Sequence, residues 1–111
     1  MNVYDRAYEL AKAMQACPEA HDLLGAIQAV EQDDEAKLLM NDFRQRQAGF
    51  QQQMMAGEEP SPEEMADMNQ LYEELSLHPL LNQLFEAERR FGVVFDDVTK
   101  IISESLKNVF E

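Results

Sequence analysis

Of the 111 residues only one is cysteine, none is tryptophan, and glycine and proline number four each. One thiol per chain excludes an internal disulfide framework and suits a reducing compartment. So few glycines and prolines leave little material for a turn-rich β architecture. Basic residues are scarce as well, nine against 22 acids, for a formal net charge of -13. A surface of that sign repels phosphate, which argues against direct binding to nucleic acid and against anionic membrane surfaces. No apolar run approaches the ~20 residues that a membrane-spanning helix needs. The opening residues Met1–Arg6 show no charged-then-apolar leader pattern. These absences set the expectation of a cytoplasmic protein.

Catalytic signatures are missing too. There is no phosphate-cradling glycine loop, dinucleotide-binding glycine motif, His-Glu-x-x-His, Cys-x-x-Cys or Ser–His–Asp arrangement. Acid pairs such as Asp33/Asp34, Glu63/Glu64 and Asp96/Asp97 are abundant. Neighbouring residues on a helix do not face each other, however, so these read as solvated faces and first-turn acids rather than as acid–base pairs. The expectation is that the protein is not an enzyme and holds no cofactor.

What is present is helical periodicity over almost the whole chain. Val3, Tyr4, Ala7, Tyr8, Leu10, Ala11 and Met14 form one stripe of a first helix, about Val3–Ala16, capped by Asn2. Pro18 starts a second helix with Cys17 as cap, directing Leu23, Leu24, Ile27 and Val30 inward and ending near Gln32. Asp33 caps a third, Asp34 to about Ala56, whose Ala36, Met40, Phe43, Gln47, Phe50 and Met54 alternate steps of four and three. Gly57 is its left-handed stop, and Gly57–Pro60 is the one clear loop. Ser61-Pro62-Glu63-Glu64 combines a cap serine, a first-turn proline and a glutamate three residues on, a capping box that opens the fourth helix. His78-Pro79 ends it, because the residue before proline is pushed out of the α region.

The fifth helix is expected from Pro79 to about Val109, roughly 46 Å at 1.5 Å per residue. A compact chain of this size has a radius of gyration of about 13 Å, so the helix should protrude from its own domain. Its seam is Leu81, Leu84, Glu88, Phe91, Phe95, Val98, Ile102, Ser105 and Val109, widened by flanking apolar rows. A face that broad asks for more cover than one neighbouring helix gives. Self-association is the simplest cover, with Leu84, Phe91, Phe95, Val98 and Ile102 as the oligomer interface.

Three smaller features carry candidate roles. Cys17 and His21 are four apart, the spacing of two metal ligands on one helix face, which keeps a metal- or redox-sensing role as the alternative. Cys17 also fits as a cap or small core residue, and His78 as a helix cap. Met40, Met54, Met55, Met65 and Met68 bracket the loop after the third helix. At helical spacing such a set is core first, but Met54, Met55 and Met65 are also the candidate surface for another protein. Finally, Gln47–Glu88 contains nine acids and no lysine or arginine, while Arg44, Arg46, Arg89 and Arg90 sit at its edges. Solvation explains an acidic hairpin, and steering of a basic protein partner is the alternative.

The segments Asn-Val-Tyr-Asp-x-Ala-x-Glu-Leu-Ala (Asn2–Ala11), Asp-Phe-Arg-x-x-Gln (Asp42–Gln47), Gly-x-x-Pro-Ser-x-Glu-Glu (Gly57–Glu64), Leu-Ser-Leu-x-Pro (Leu75–Pro79) and Glu-Ala-Glu-x-Arg-Phe (Glu86–Phe91) resemble the YheA branch of the YlbF/YmcA-like proteins of Bacillus-type bacteria. The resemblance spans essentially the whole chain and rests on structural rather than catalytic motifs. It implies an all-helical, self-associating protein. Better-studied relatives act in a three-protein complex that carries iron–sulfur clusters and influences RNA processing by a membrane-bound ribonuclease, competence, sporulation and biofilm development. With Cys17 as its one thiol, this sequence does not carry the cluster over.

The combined expectation is one domain over residues 1–111: an all-α bundle of about five helices, the third and C-terminal ones long and roughly antiparallel. It should be a homodimer or tetramer acting as a non-enzymatic adaptor or regulator of other cytosolic proteins, without direct contact to nucleic acid or membrane.

Overall fold

The computed structural model describes residues 2–110. It is all-α, with helices α1 (Val3–Gln15), α2 (Pro18–Glu31), α3 (Asp34–Met55), α4 (Pro62–Ser76), α5 (Pro79–Ser105) and a short α6 (Lys107–Phe110). The caps explain the boundaries. Asn2 Oδ1 accepts the Tyr4 N–H at 2.8 Å, Asp33 Oδ1 that of Ala36 at 2.9 Å, and Ser61 Oγ that of Glu64 at 3.1 Å. Each side chain satisfies one of the orphan donors of a helix start. Cys17 occupies the α2 cap position with no side-chain bond, and Pro18 starts that helix by its fixed φ instead. At the end of α3, Gly57 has φ +83°; its N–H reaches Met54 O at 3.1 Å and the Glu58 N–H reaches Gln53 O at 2.9 Å. This is a Schellman stop, in which the glycine adopts the left-handed conformation without a Cβ penalty.

Packing is concentrated on the N-terminal half of α5. Val30, Ala36, Met40, Phe43, Leu75, Leu81 and Leu84 form the buried cluster, flanked by Leu23, Ile27, Leu71, Phe85 and others. The tyrosine and phenylalanines make an aromatic trio: Tyr72 stacks on Phe85 at 4.8 Å, and Phe43 tilts against both at 6.1 and 6.0 Å. Helix α2 runs antiparallel to α5, with Asp22 3.9 Å from Arg90 and Ile27 and Val30 near Leu84. Met40 and Phe43 lie beside Leu84 and Phe85, while Gln47 lies further along near Glu88 and Arg89. Helices α3 and α5 therefore run in the same general sense, not antiparallel as expected, because two chain reversals, at Gly57 and at His78, separate them.

The last helix is also corrected. It breaks after Ser105 rather than running to Val109; Leu106 takes φ -98° and ψ 3°, and its carbonyl accepts the Val109 N–H at 2.9 Å in a tight turn. Ser103, Ser105 and Asn108 are residue types of low helix propensity, and among the described residues α6 touches α5 alone. Even so, α5 spans roughly 40 Å.

The molecule is extended, 49 × 37 × 17 Å, with a radius of gyration of 17.9 Å where a compact chain would have about 13 Å. Its accessible surface is 8753 Å², about 2,500 Å² more than a compact monomer of 12.8 kDa exposes.

Candidate functional site

The excess surface has identifiable owners. On α5 the stripe that carries Leu81 and Leu84 continues at steps of three and four through Phe91, Phe95, Val98 and Ile102, but the cover thins beyond the level at which Asp22 meets Arg90. Leu81 and Leu84 are sealed at 0% and 1% exposure, whereas Phe95 is 57% and Ile102 45% exposed; Phe91 and Val98 are half-buried. Leu84, expected at an oligomer interface, is thus corrected to the chain's own core: α2, α3 and α4 converge on that part of α5 and leave nothing of it for a second molecule. The other four named positions share one face, with Ile101 at its flank, also exposed.

Helix α1 is the second owner. Among the described residues it touches α2 alone and has no buried residue; Val3, Tyr4 and Tyr8 are all more than two-thirds exposed. The stripe itself was plain in the spacing. That among the described residues only α2 meets it was not, because an amphipathic pattern announces burial without naming the neighbour.

The third is the Met-rich hairpin. Met40 is buried and Met68 half-buried, but Met54, Met55 and Met65 are exposed. The core reading therefore holds for the first pair and fails for the other three, which stand at the hairpin end of α3 and α4, away from the buried cluster. Between them opens a groove of about 410 Å³ lined by Arg46, Gly49, Phe50, Gln53, Glu64, Asp67 and Met68.

A second cleft borders the aromatic trio, with Arg44, Glu88 and Arg89 on its rim. Partial withdrawal from water pushes the Glu88 carboxyl above its ordinary range, and the Arg44 charge acts in the opposite direction. The sequence signal for this residue was an acid occupying a seam position. Arg89 pairs with Glu86 at 3.1 Å and Arg46 with Asp42 at 3.5 Å, so both are engaged within their own helices, as solvent-exposed pairs of small energetic weight. Arg90 instead reaches Asp22 of α2 at 3.9 Å, a pair across helices.

The metal-sensing alternative gains no support. Cys17 is half-buried at the α2 cap, His21 is exposed one turn on, and no third donor joins them; among the described residues no group of three His, Cys, Asp or Glu could hold an ion. An iron–sulfur cluster takes four protein ligands, usually thiolates, and one thiol per chain does not fit it. His78 has a structural role: its Nδ1 accepts the Leu80 N–H at 3.3 Å.

Residues 3–107 match the family model described as control of competence regulator ComK, YlbF/YmcA. The chain belongs to the YlbF/YmcA family. Within it, similar proteins include a UPF0342 protein of Shouchella clausii, 36% identical over 98% of this chain and 92% of its own length. One of Halalkalibacterium halodurans is 38% identical over 98% and 94%, and one of Streptococcus agalactiae 36% over 97% of each. In three dimensions the chain is similar to a protein of unknown function (DUF964) from Bacillus stearothermophilus, with a TM-score of 0.89 over 98% of this chain and 96% of that one. At 19% identity that likeness concerns the fold. Family membership agrees with the resemblance carried by the sequence motifs and with a regulatory helical protein. No helix among the described residues is long and apolar enough to cross a membrane.

Proposed function

We propose that this chain is a non-enzymatic cytoplasmic regulator that works as a homo-oligomer, at least a dimer, and docks other proteins on its helical faces. The observation that carries the reading is the roughly 2,500 Å² of surplus surface. An obligate dimer typically buries about 1,000–2,500 Å² on each partner, so the surplus is of the size that self-association removes. It lies on apolar helix faces, which a monomer of this size would otherwise leave against water. The Phe91–Phe95–Val98–Ile102 face is the self-association surface, and the end of the hairpin bearing Met54, Met55 and Met65 is the docking surface for another protein. Flexible, polarisable methionines suit such a surface.

The family's described role, control of a competence regulator, supports a regulatory reading for this chain as well. Any influence on RNA processing would run through protein contacts, since a net charge of -13 opposes direct RNA binding.

Sedimentation equilibrium of the wild type and of Phe95→Asp tests the assembly. The wild type should sediment as a dimer or larger, and the variant, whose residue lies outside the core, should be a folded monomer. Unchanged mass in the variant removes this face from the interface. Affinity recovery from the native host, with ribonuclease treatment and with Met55→Asp as control, tests the docking role. A defined protein set that survives ribonuclease and is lost with the variant is the expected result.

A further inference from the structure

Resting on the self-association just proposed, the geometry points to which helices meet: we infer that α1 of one chain docks on the Phe91–Ile102 face of α5 in a second copy, reciprocally about a twofold axis. Four observations converge. The first is position. Helix α2 runs antiparallel to α5 and pairs Asp22 with Arg90, so its start at Pro18 is level with the C-terminal half of α5. Helix α1 leaves from there, yet makes no contact with α5 of its own chain. Two largely exposed apolar helix faces thus share one end of the molecule without covering each other, the arrangement that a reciprocal exchange between two copies resolves.

The second is extent. The 13 residues of α1 span about 20 Å and Phe91–Ser105 about 22 Å, so one helix covers the other end to end. The third is width. Val94, Phe91, Phe95, Val98, Ile101 and Ile102 occupy an arc broader than the seam one packed helix fills. An α5–α5 contact alone would leave part of that arc and most of the α1 stripe in water.

Charge is the fourth. Two copies at -13 repel each other, and nine of those net charges lie in Gln47–Glu88. Val3–Gln15 holds two acids and two bases, and Arg89–Glu111 four of each. The surfaces through which copies approach with least like-charge repulsion are α1 and the C-terminal half of α5.

The test uses the full chain in a Cys17→Ser background. One tagged variant carries Ala11→Cys, near the middle of α1, and a differently tagged one carries Val98→Cys, near the middle of the α5 face. The pair of mid-helix positions reports contact whichever way α1 lies. Mixed, equilibrated and treated with a short bismaleimide, they should yield a product containing both tags. Tyr8→Asp, on a helix that contributes nothing to the core, should keep the wild-type helicity and weaken the dimer by at least about tenfold. A stable dimer that gives only Ala11–Ala11 or Val98–Val98 links, or none, and that Tyr8→Asp leaves intact, overturns the α1–α5 pairing alone. A wild type that sediments as a monomer overturns the assembly reading on which it rests.

Discussion

Truncating the apolar stripe of α5 on either side of Arg90 should separate its part in the core from its part in the proposed self-association. Leu84 is 1% exposed between α2, α3 and α4, so Leu84→Ala leaves a cavity in the core and should cost about 2–5 kcal/mol. Against a total stability of roughly 5–15 kcal/mol that is a large share, and it lowers the thermal midpoint by about 4 °C or more per kcal/mol. Ile102 is 45% exposed and has no core contact, so Ile102→Ala should change the stability of the monomer by about 0.5 kcal/mol or less. In the proposed assembly its effect should fall on association, because a residue buried only in a dimer contributes only there. The assay is thermal and urea unfolding at two protein concentrations a hundredfold apart. A dimer's transition depends on concentration, whereas a defect in the fold of each chain appears at both. Leu84→Ala should shift the transition at either concentration. Ile102→Ala should shift it chiefly at the higher one, reducing the concentration dependence. If the two variants behaved alike, the division of the stripe into an internal and an external half would be wrong.

Further expectations concern the turns and the cleft. Gly57→Ala meets no steric obstacle, so its cost is purely that of φ +83°, about 1 kcal/mol, while Gly25→Ala, in the middle of α2 with open space around it, should stabilise by about 0.5–1 kcal/mol. Urea midpoints moving in opposite directions at unchanged slope would bear this out; the same sign for both would not. Glu88 has a raised pKa in the folded chain, so the stability tied to its protonated form is complete below the ordinary glutamate value and is lost as pH rises through the raised one. Glu88→Gln, which cannot ionise, should therefore gain on the wild type progressively as pH rises from about 4 towards neutrality. Parallel pH profiles of the two proteins would refute the assignment of that charge to a partly dry site.

The elements were legible in the chain because their signals are local. Asn2, Asp33 and Ser61 cap within three residues of themselves, Gly57 stops α3 by its own backbone, and Pro18, Pro62 and Pro79 each open a helix through a fixed φ. The end of α5 was less legible: its apolar rhythm continues through Leu106 and Val109, while the helix breaks at Leu106, beyond which α6 touches α5 alone among the described residues.

The candidate surfaces were legible only in part. Phe95 and Ile102 are exposed while Leu84, named with them as oligomer interface, is buried, although all three occupy the same stripe with the same spacing. The same holds for the methionines: Met40 and Met54 stand on one seam of α3, yet one is buried and the other exposed.

The sequence by itself thus determined that the chain is all-α, where its helices begin and end to within a few residues, which side of each is apolar, and that net negative charge gathers in the hairpin. These follow from backbone propensity, capping and periodicity, which act over a few residues. Only the tertiary structure decided how far α2 reaches along α5, that α3 and α5 point the same way, and that α1 and the C-terminal half of α5 are left largely exposed. Periodicity states that a face must be buried, but which body buries it is a matter of lengths and crossing points between helices far apart in the chain.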